Sequence, residues 1–147
     1  MVDVHNKSTR SYNMSQIKGR DTKPEWIVRK YLHRNGLRYS LHNSSLPGKP
    51  DLCLRKYRTV IFINGCFWHG HKNCKYFKLP ETRKSWWERK IGETVKRDKI
   101  NITELKKMKW NCILVWECEL KPEFKEITLE YLLVNVKNNK TNCNEEK

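Results

Sequence analysis

The sequence predicts a mixed α/β domain, a β-sheet flanked by helices, in the order helix, three strands, helix, strand, helix. Three observations carry that prediction. Ile27 with Tyr31, and Val28 with Leu32, recur at the i, i+4 spacing of a helix face. Thr59-Val60-Ile61-Phe62-Ile63 is the most β-branched run of the chain and reads as a central strand that stops before Gly65. Residues 82–109 keep Trp87, Ile91, Val95, Ile102, Leu105 and Met108 on one face and crowd lysines and arginines onto the rest.

At 147 residues the chain is one domain, long enough to bury a core without disulfides. Lysine and arginine number 31 against 16 aspartates and glutamates, a net charge of +15. An excess of that size on a small domain points to a polyanionic partner, and nucleic acid is the commonest. The N-terminus has no apolar core of a signal peptide and no stretch approaches the length of a membrane span, so the expectation is a soluble, cytoplasmic protein with no membrane partner. In that reducing compartment, grouped cysteines bind metal more often than they pair. Cys53 and Cys112 sit inside apolar runs as small buried hydrophobes, and Cys143 lies in a polar tail. Cys66, Cys74 and Cys118 are left to be explained.

In chain order, residues 1–20 are basic, with only Met14 and Ile17 as apolar surface, and read as an arm that orders on a partner or as a frayed terminus. Asp21-Thr22-Lys23-Pro24-Glu25 is a helix start, with a capping side chain, a proline in the first turn and an early acid, and Asn35-Gly36 ends that helix. Leu37 to Leu41 alternates as a strand. Leu46-Pro47-Gly48-Lys49-Pro50 is a loop, and Asp51-Leu52-Cys53-Leu54 a short strand. After the long basic helix, Cys112-Ile113-Leu114-Val115 is a buried strand that runs into Glu117-Cys118-Glu119. Pro122 opens a last helix with Phe124, Ile127, Tyr131 and Leu132 as its apolar residues. The division expected is an arm over 1–20, a folded domain over 21–136 and a disordered polar tail over 137–147.

Residues 61–74 organise the chain. Four residues separate Cys66 from His71 and two separate His71 from Cys74, and Cys118 can join them if its strand lies beside Thr59–Ile63. A closed Cys3His set favours tetrahedral Zn²⁺ with no open position, a structural ion; the alternative is three reduced thiols and a surface histidine. His69, two residues from His71, would point the opposite way in an extended loop and is free for chemistry. Asp51 begins one strand, Asn64 and His69 follow its neighbour, and Glu25 starts a helix able to pack over them. A carboxylate holding Mg²⁺ beside a histidine suits phosphodiester hydrolysis. Glu25 serves equally well as a helix-start acid.

These residues also resemble a known family. Pro47-Gly48-Lys49-Pro50-Asp51, Val60-Ile61-Phe62 with Gly65-Cys66-Phe67-Trp68-His69, and Val115-Trp116-Glu117-Cys118 are similar to the very short patch repair (Vsr) mismatch endonucleases. The opening Asp3-Val4-His5, Thr9-Arg10-Ser11, Asn13-Met14 and Arg20-Asp21-Thr22 look like that family's N-terminal arm, and the match covers residues 2–135. The resemblance implies a type II restriction endonuclease-like fold and an enzyme that nicks one DNA strand 5′ to the thymine of a T:G mismatch left by deaminated 5-methylcytosine. It further implies Mg²⁺ on Asp51 and the Ile63 carbonyl, His69 as general base and Glu25 orienting water. Zn²⁺ would be held by Cys66, His71, Cys74 and Cys118. Phe67, Trp68 and Trp87 would wedge into the duplex, with Met14 approaching from the minor groove.

Three features depart from that pattern or leave it open. Asn64 stands where the family often has histidine, and asparagine can bond a phosphate or water but cannot carry a proton. The segment His71-Lys72-Asn73-Cys74 is one residue longer, and Trp86 is adjacent to Trp87. The expected partner is mismatched double-stranded DNA bound by a monomer, with mismatch-repair proteins as further partners. The competing readings are a zinc-stabilised DNA-binding module without catalysis and a restriction enzyme cutting both strands.

Overall fold

The computed structural model describes residues 21–145, and the side chains of residues 21–139. Helix α1 (Lys23–Arg34) starts where Thr22 Oγ1 accepts the Glu25 N–H at 3.5 Å, with Pro24 in the first turn. It ends at Asn35 and Gly36, and Gly36 takes φ +83°, the left-handed turn that glycine adopts without strain. The Leu37 N–H then reaches back to the Leu32 carbonyl at 3.0 Å. That closing bond shortens the expected strand over 37–41: only β1 (Ser40–Leu41) pairs, and Leu37 is buried under the helix end instead.

The sheet has four strands in the order β1, β2 (Leu52–Leu54), β3 (Thr59–Asn64), β4 (Asn111–Trp116). β1 to β3 are antiparallel neighbours, and β4 lies parallel to β3 with Ile63 opposite Val115 and Asn64 opposite Trp116. A parallel pair needs a long crossover. Helix α2 (Lys84–Lys107) supplies it, and its basic residues remain exposed.

Alternation along the strands divides the core between two faces. Leu52, Leu54, Ile61 and Ile63 point toward α1 and α3 (Lys125–Glu145), where Val28, Leu32, Leu129, Leu132 and Val136 meet them. Cys53 and Val60 point the other way, onto Leu105 and Trp110. The result is three layers, with the sheet in the middle and buried on both sides; each buried aliphatic side chain contributes about 1.5–3 kcal/mol.

Three expectations need correction. Phe124, Ile127 and Tyr131 face outward, 55, 73 and 70 % exposed, while Leu129, Leu132 and Val136 form the inner stripe. The competition is between two apolar stripes on one helix, and the sheet takes the purely aliphatic one. The polar tail expected from residue 137 continues α3 instead, because Val136 is fully buried and the Asn139 side chain donates to the Tyr57 carbonyl. Met108 caps the end of α2 rather than lying on its inner face, and is 42 % exposed. Cys53 is buried as expected; Cys112 is half-buried, its thiol turned toward the Trp110 carbonyl.

Candidate active site

The C-terminal end of β3 opens onto a cleft of about 1380 Å³ whose walls include Glu25, His42, Asp51, Asn64, His69 and Asp98. Asp51 stands directly before β2, and its Oδ2 accepts the Ile63 N–H at 2.7 Å, which fixes the carboxylate against the neighbouring strand. Burial in the cleft pushes the Asp51 carboxyl up from the usual 3.8 to about 6, and the adjacent Glu25 carboxylate raises it further against the opposing Ile63 bond. Asp51 and Glu25 thus share one half-dry pocket.

Glu25, in the first turn of α1, is 3 % exposed. Its Oε2 accepts the Asp21 N–H at 2.7 Å and Arg29 Nη2 at 2.9 Å. Arg29 Nη1 also reaches Asp21 Oδ1 at 2.8 Å, so a buried guanidinium holds the back of the acidic cluster. Asn64, 6 % exposed, faces the same cleft. The sequence reasoning brings Asp51, Glu25, Asn64 and His69 together, and the structure does place them around one cleft.

It adds a residue that reasoning missed. His69 Nδ1 lies 2.6 Å from Asp98 Oδ2 on α2, which leaves Nε2 for the cleft. A signal was present: Asp98 continues the inward stripe of Ile91 and Val95, and an acid on the apolar face of a basic helix calls for a partner. His42 was missed too. It follows β1, its N–H bonds the Asp51 carbonyl at 3.2 Å, and its ring lies between Arg29 and Asp51.

The loop after β3 is compact rather than extended. The His69 and His71 N–H groups return to the Gly65 and Cys66 carbonyls at 3.1 and 2.9 Å, and Gly70 turns between them at φ +61°. A Cβ at Gly70 would lie 2.9 Å from Ile91 Cγ2, so only glycine lets the loop close on α2 and bring His69 to Asp98. The two imidazoles do part, as expected, but by this turn and not by strand alternation. His71 goes to the other side, stacked on Trp116 at 4.0 Å between ring centres, with Nδ1 3.5 Å from Cys118 Sγ.

One ligand atom from each of Cys66, His71, Cys74 and Cys118 lies within 4.8 Å of the others. In a zinc tetrahedron of Cys and His ligands the donor atoms stand roughly 3.5–4 Å apart, so this set fits with small side-chain shifts and leaves no open position. Asn73, directly before Cys74, takes a left-handed turn at φ +57°. Burial pushes the Cys66 thiol up to about 12, and the Cys118 and Cys74 thiols beside it add to the rise. Three crowded thiols become thiolates together only around a cation, which is the chemistry of a closed metal site.

Next to this knot Phe67, Trp68 and Trp87 form a triangle with ring centres 5.1, 5.3 and 5.8 Å apart. Trp86 contacts Trp87 at 4.8 Å and carries the Arg83 guanidinium on its ring, but stands outside the triangle. Met14 lies outside the described residues. Among the described residues no helix is long and apolar enough to cross a membrane.

Comparison with known proteins agrees with this geometry. The chain matches the family described as DNA mismatch endonuclease Vsr over residues 2–75. It is 46 % identical over 121 residues to the DNA mismatch endonuclease Vsr of Escherichia coli K12, covering 82 % of this chain and 77 % of that one. It is 46 % identical over 121 residues to the type II nicking enzyme V.NmeAIP of Neisseria meningitidis, covering 82 % and 86 %. With the type II nicking enzyme V.XorIIP of Xanthomonas oryzae it shares 40 % over 120 residues, 82 % and 88 %.

Proposed function

The chain belongs to the Vsr family of DNA mismatch endonucleases, and from that premise we propose that it nicks one strand of duplex DNA 5′ to the thymine of a T:G mismatch left by deaminated 5-methylcytosine. The observation that carries the reading is the His69–Asp98 pair, 2.6 Å long, facing the Asp51 and Glu25 carboxylates across one cleft. A protein that only bound DNA would need none of it. The fold this reading assigns is type II restriction endonuclease-like, with the site at the end of β3.

Asp51 and the Ile63 carbonyl would hold Mg²⁺, which would supply charge neutralisation at the phosphate and a lower pKa for bound water. The raised Asp51 pKa supports this, since a bound cation would offset the burial, and the nearby Glu25 charge, that push it up. His69 is the general base. With Nδ1–H donating to the Asp98 carboxylate, Nε2 presents a lone pair to the cleft and takes the proton of the attacking water; Asp98 then balances the charge of the imidazolium. Glu25, held by Arg29 and the Asp21 N–H, orients that water. Asn64 donates a hydrogen bond to a phosphate oxygen, and protonation of the leaving oxygen falls to water.

Phe67, Trp68 and Trp87 are the wedge. Edge contacts of Phe67 with both tryptophans join the three rings into one apolar blade, and unstacking is least costly at a mispaired step. The arm over residues 1–20, with Met14, approaches from the minor groove. Cys66, His71, Cys74 and Cys118 would hold a structural Zn²⁺, which would keep blade and base on one short loop. The test is a strand-labelled nicking assay on T:G and fully paired duplexes. Loss of nicking in Asp51→Ala and His69→Ala, with folding retained, is expected; full activity in Asp51→Ala, or equal cleavage of the paired duplex, refutes the reading.

A further inference from the structure

His42 has no part in the mechanism above, yet its backbone and ring are both held in place. Its φ of +46° puts a non-glycine residue in the left-handed region, where such conformations persist only when surrounding contacts enforce them. Those contacts are visible. The His42 N–H bonds the Asp51 carbonyl, extending the β1–β2 ladder by one rung, and the ring lies over the cleft floor, only 22 % exposed. Nε2 stands 3.2 Å from Arg29 Nη2.

Arginine only donates, so Nε2 must be the accepting nitrogen and the ring proton sits on Nδ1. Nδ1 faces Asp51 Oδ1 at 3.7 Å, while Oδ2 of the same carboxylate is taken by the Ile63 N–H. Arg29 is itself tied to Glu25 and Asp21, and its Nη2 is shared between Glu25 and His42. Because Arg29 already fills the space among Asp21, Glu25 and His42, that cluster is not itself a second cation site.

We propose that His42 is a positioning residue for the metal ligand Asp51: it accepts from Arg29 through Nε2 and directs Nδ1–H at Oδ1, so that the carboxylate turns its open lone pairs to the cleft. The inference rests on the reading of Asp51 as the Mg²⁺ ligand. Partners of this kind behind a metal ligand are worth about tenfold to a hundredfold in metal affinity. Glutamine at this position carries an acceptor for Arg29 and a donor for Asp51; phenylalanine keeps the bulk and has neither.

The experiment titrates Mn²⁺ into the protein without DNA, following water-proton relaxation, for wild type, His42→Gln, His42→Phe and Asp51→Asn, with melting temperature and zinc content as checks on folding. His42→Phe is expected to weaken Mn²⁺ binding about tenfold or more and to raise the half-saturating Mg²⁺ for nicking similarly, with a smaller change in kcat at saturation; His42→Gln is expected to restore affinity to within about threefold. Wild-type Mn²⁺ affinity in His42→Phe, alongside loss in Asp51→Asn, overturns this inference and spares the parent reading. Undiminished binding in Asp51→Asn overturns both. Should His42→Phe fail to fold, nitrogen NMR of the wild-type ring in mildly alkaline solution decides: an Nδ1–H tautomer supports the proposal and an Nε2–H tautomer refutes it.

Discussion

Replacing Asp51 with asparagine should make the metal-free protein more stable while it loses activity. The folded protein holds the Asp51 proton up to about pH 6, against 3.8 for a free carboxyl, chiefly because the group is buried. A displacement of roughly two on the pH scale corresponds to about 3 kcal/mol. The sign follows from proton binding. Between about 4 and 6 the folded state binds more protons at this group than the unfolded state, so its contribution to stability falls as pH rises and is fully unfavourable above 6. The amide oxygen that Asp51→Asn introduces could still accept the Ile63 N–H, and water reaches the cleft, so about half the limit is a realistic gain. For a domain of this size that is a melting temperature higher by roughly 4–5 °C at neutral pH. The assay is paired thermal or urea unfolding of wild type and Asp51→Asn from about pH 4 to 8, with and without Mg²⁺. The gap should be near zero at the acid end, open through the window and narrow when Mg²⁺ stabilises the wild type. An Asp51→Asn protein less stable than wild type at neutral pH, or a gap independent of pH, would refute the reasoning.

Other substitutions probe the parts around that carboxylate. Asp98→Asn should lower kcat about a hundredfold or more with little change in DNA affinity, since it removes the charge behind His69 and not a phosphate contact; a KM effect alone in nicking kinetics would count against the pair. Cys66→Ala, or removal of the metal by a chelator, should lower the melting temperature as well as activity, and an unchanged melting curve would mean that the cluster is not a structural metal site. Gly70→Ala should cost about 1–3 kcal/mol in unfolding experiments, from a left-handed backbone and a Cβ pressed on Ile91, and should reduce nicking by displacing His69; a neutral result would show the loop free to shift.

The β3 run, the amphipathic α2 and the ligand spacing of residues 66–74 were legible in the sequence because each is a local pattern: alternation, 3.6-residue periodicity and donor type do not depend on what lies across the fold. The motifs around Asp51, Cys66 and Cys118 likewise sufficed to name the family. What sequence could not arbitrate was competition between distant partners. The last helix carries two apolar stripes, and only the shape of the sheet decides that Leu129, Leu132 and Val136 go inside while Ile127 and Tyr131 stay in water. Asp98 lies on the inward stripe of a basic helix, but nothing local names its partner until Gly70 brings His69 against it. His42 gains its place from a left-handed turn and from Arg29 on another element. Local chemistry thus set which residues could act; tertiary contact alone decided which partner and which carboxylate each one faces, because pairing energies depend on distances that no local spacing encodes.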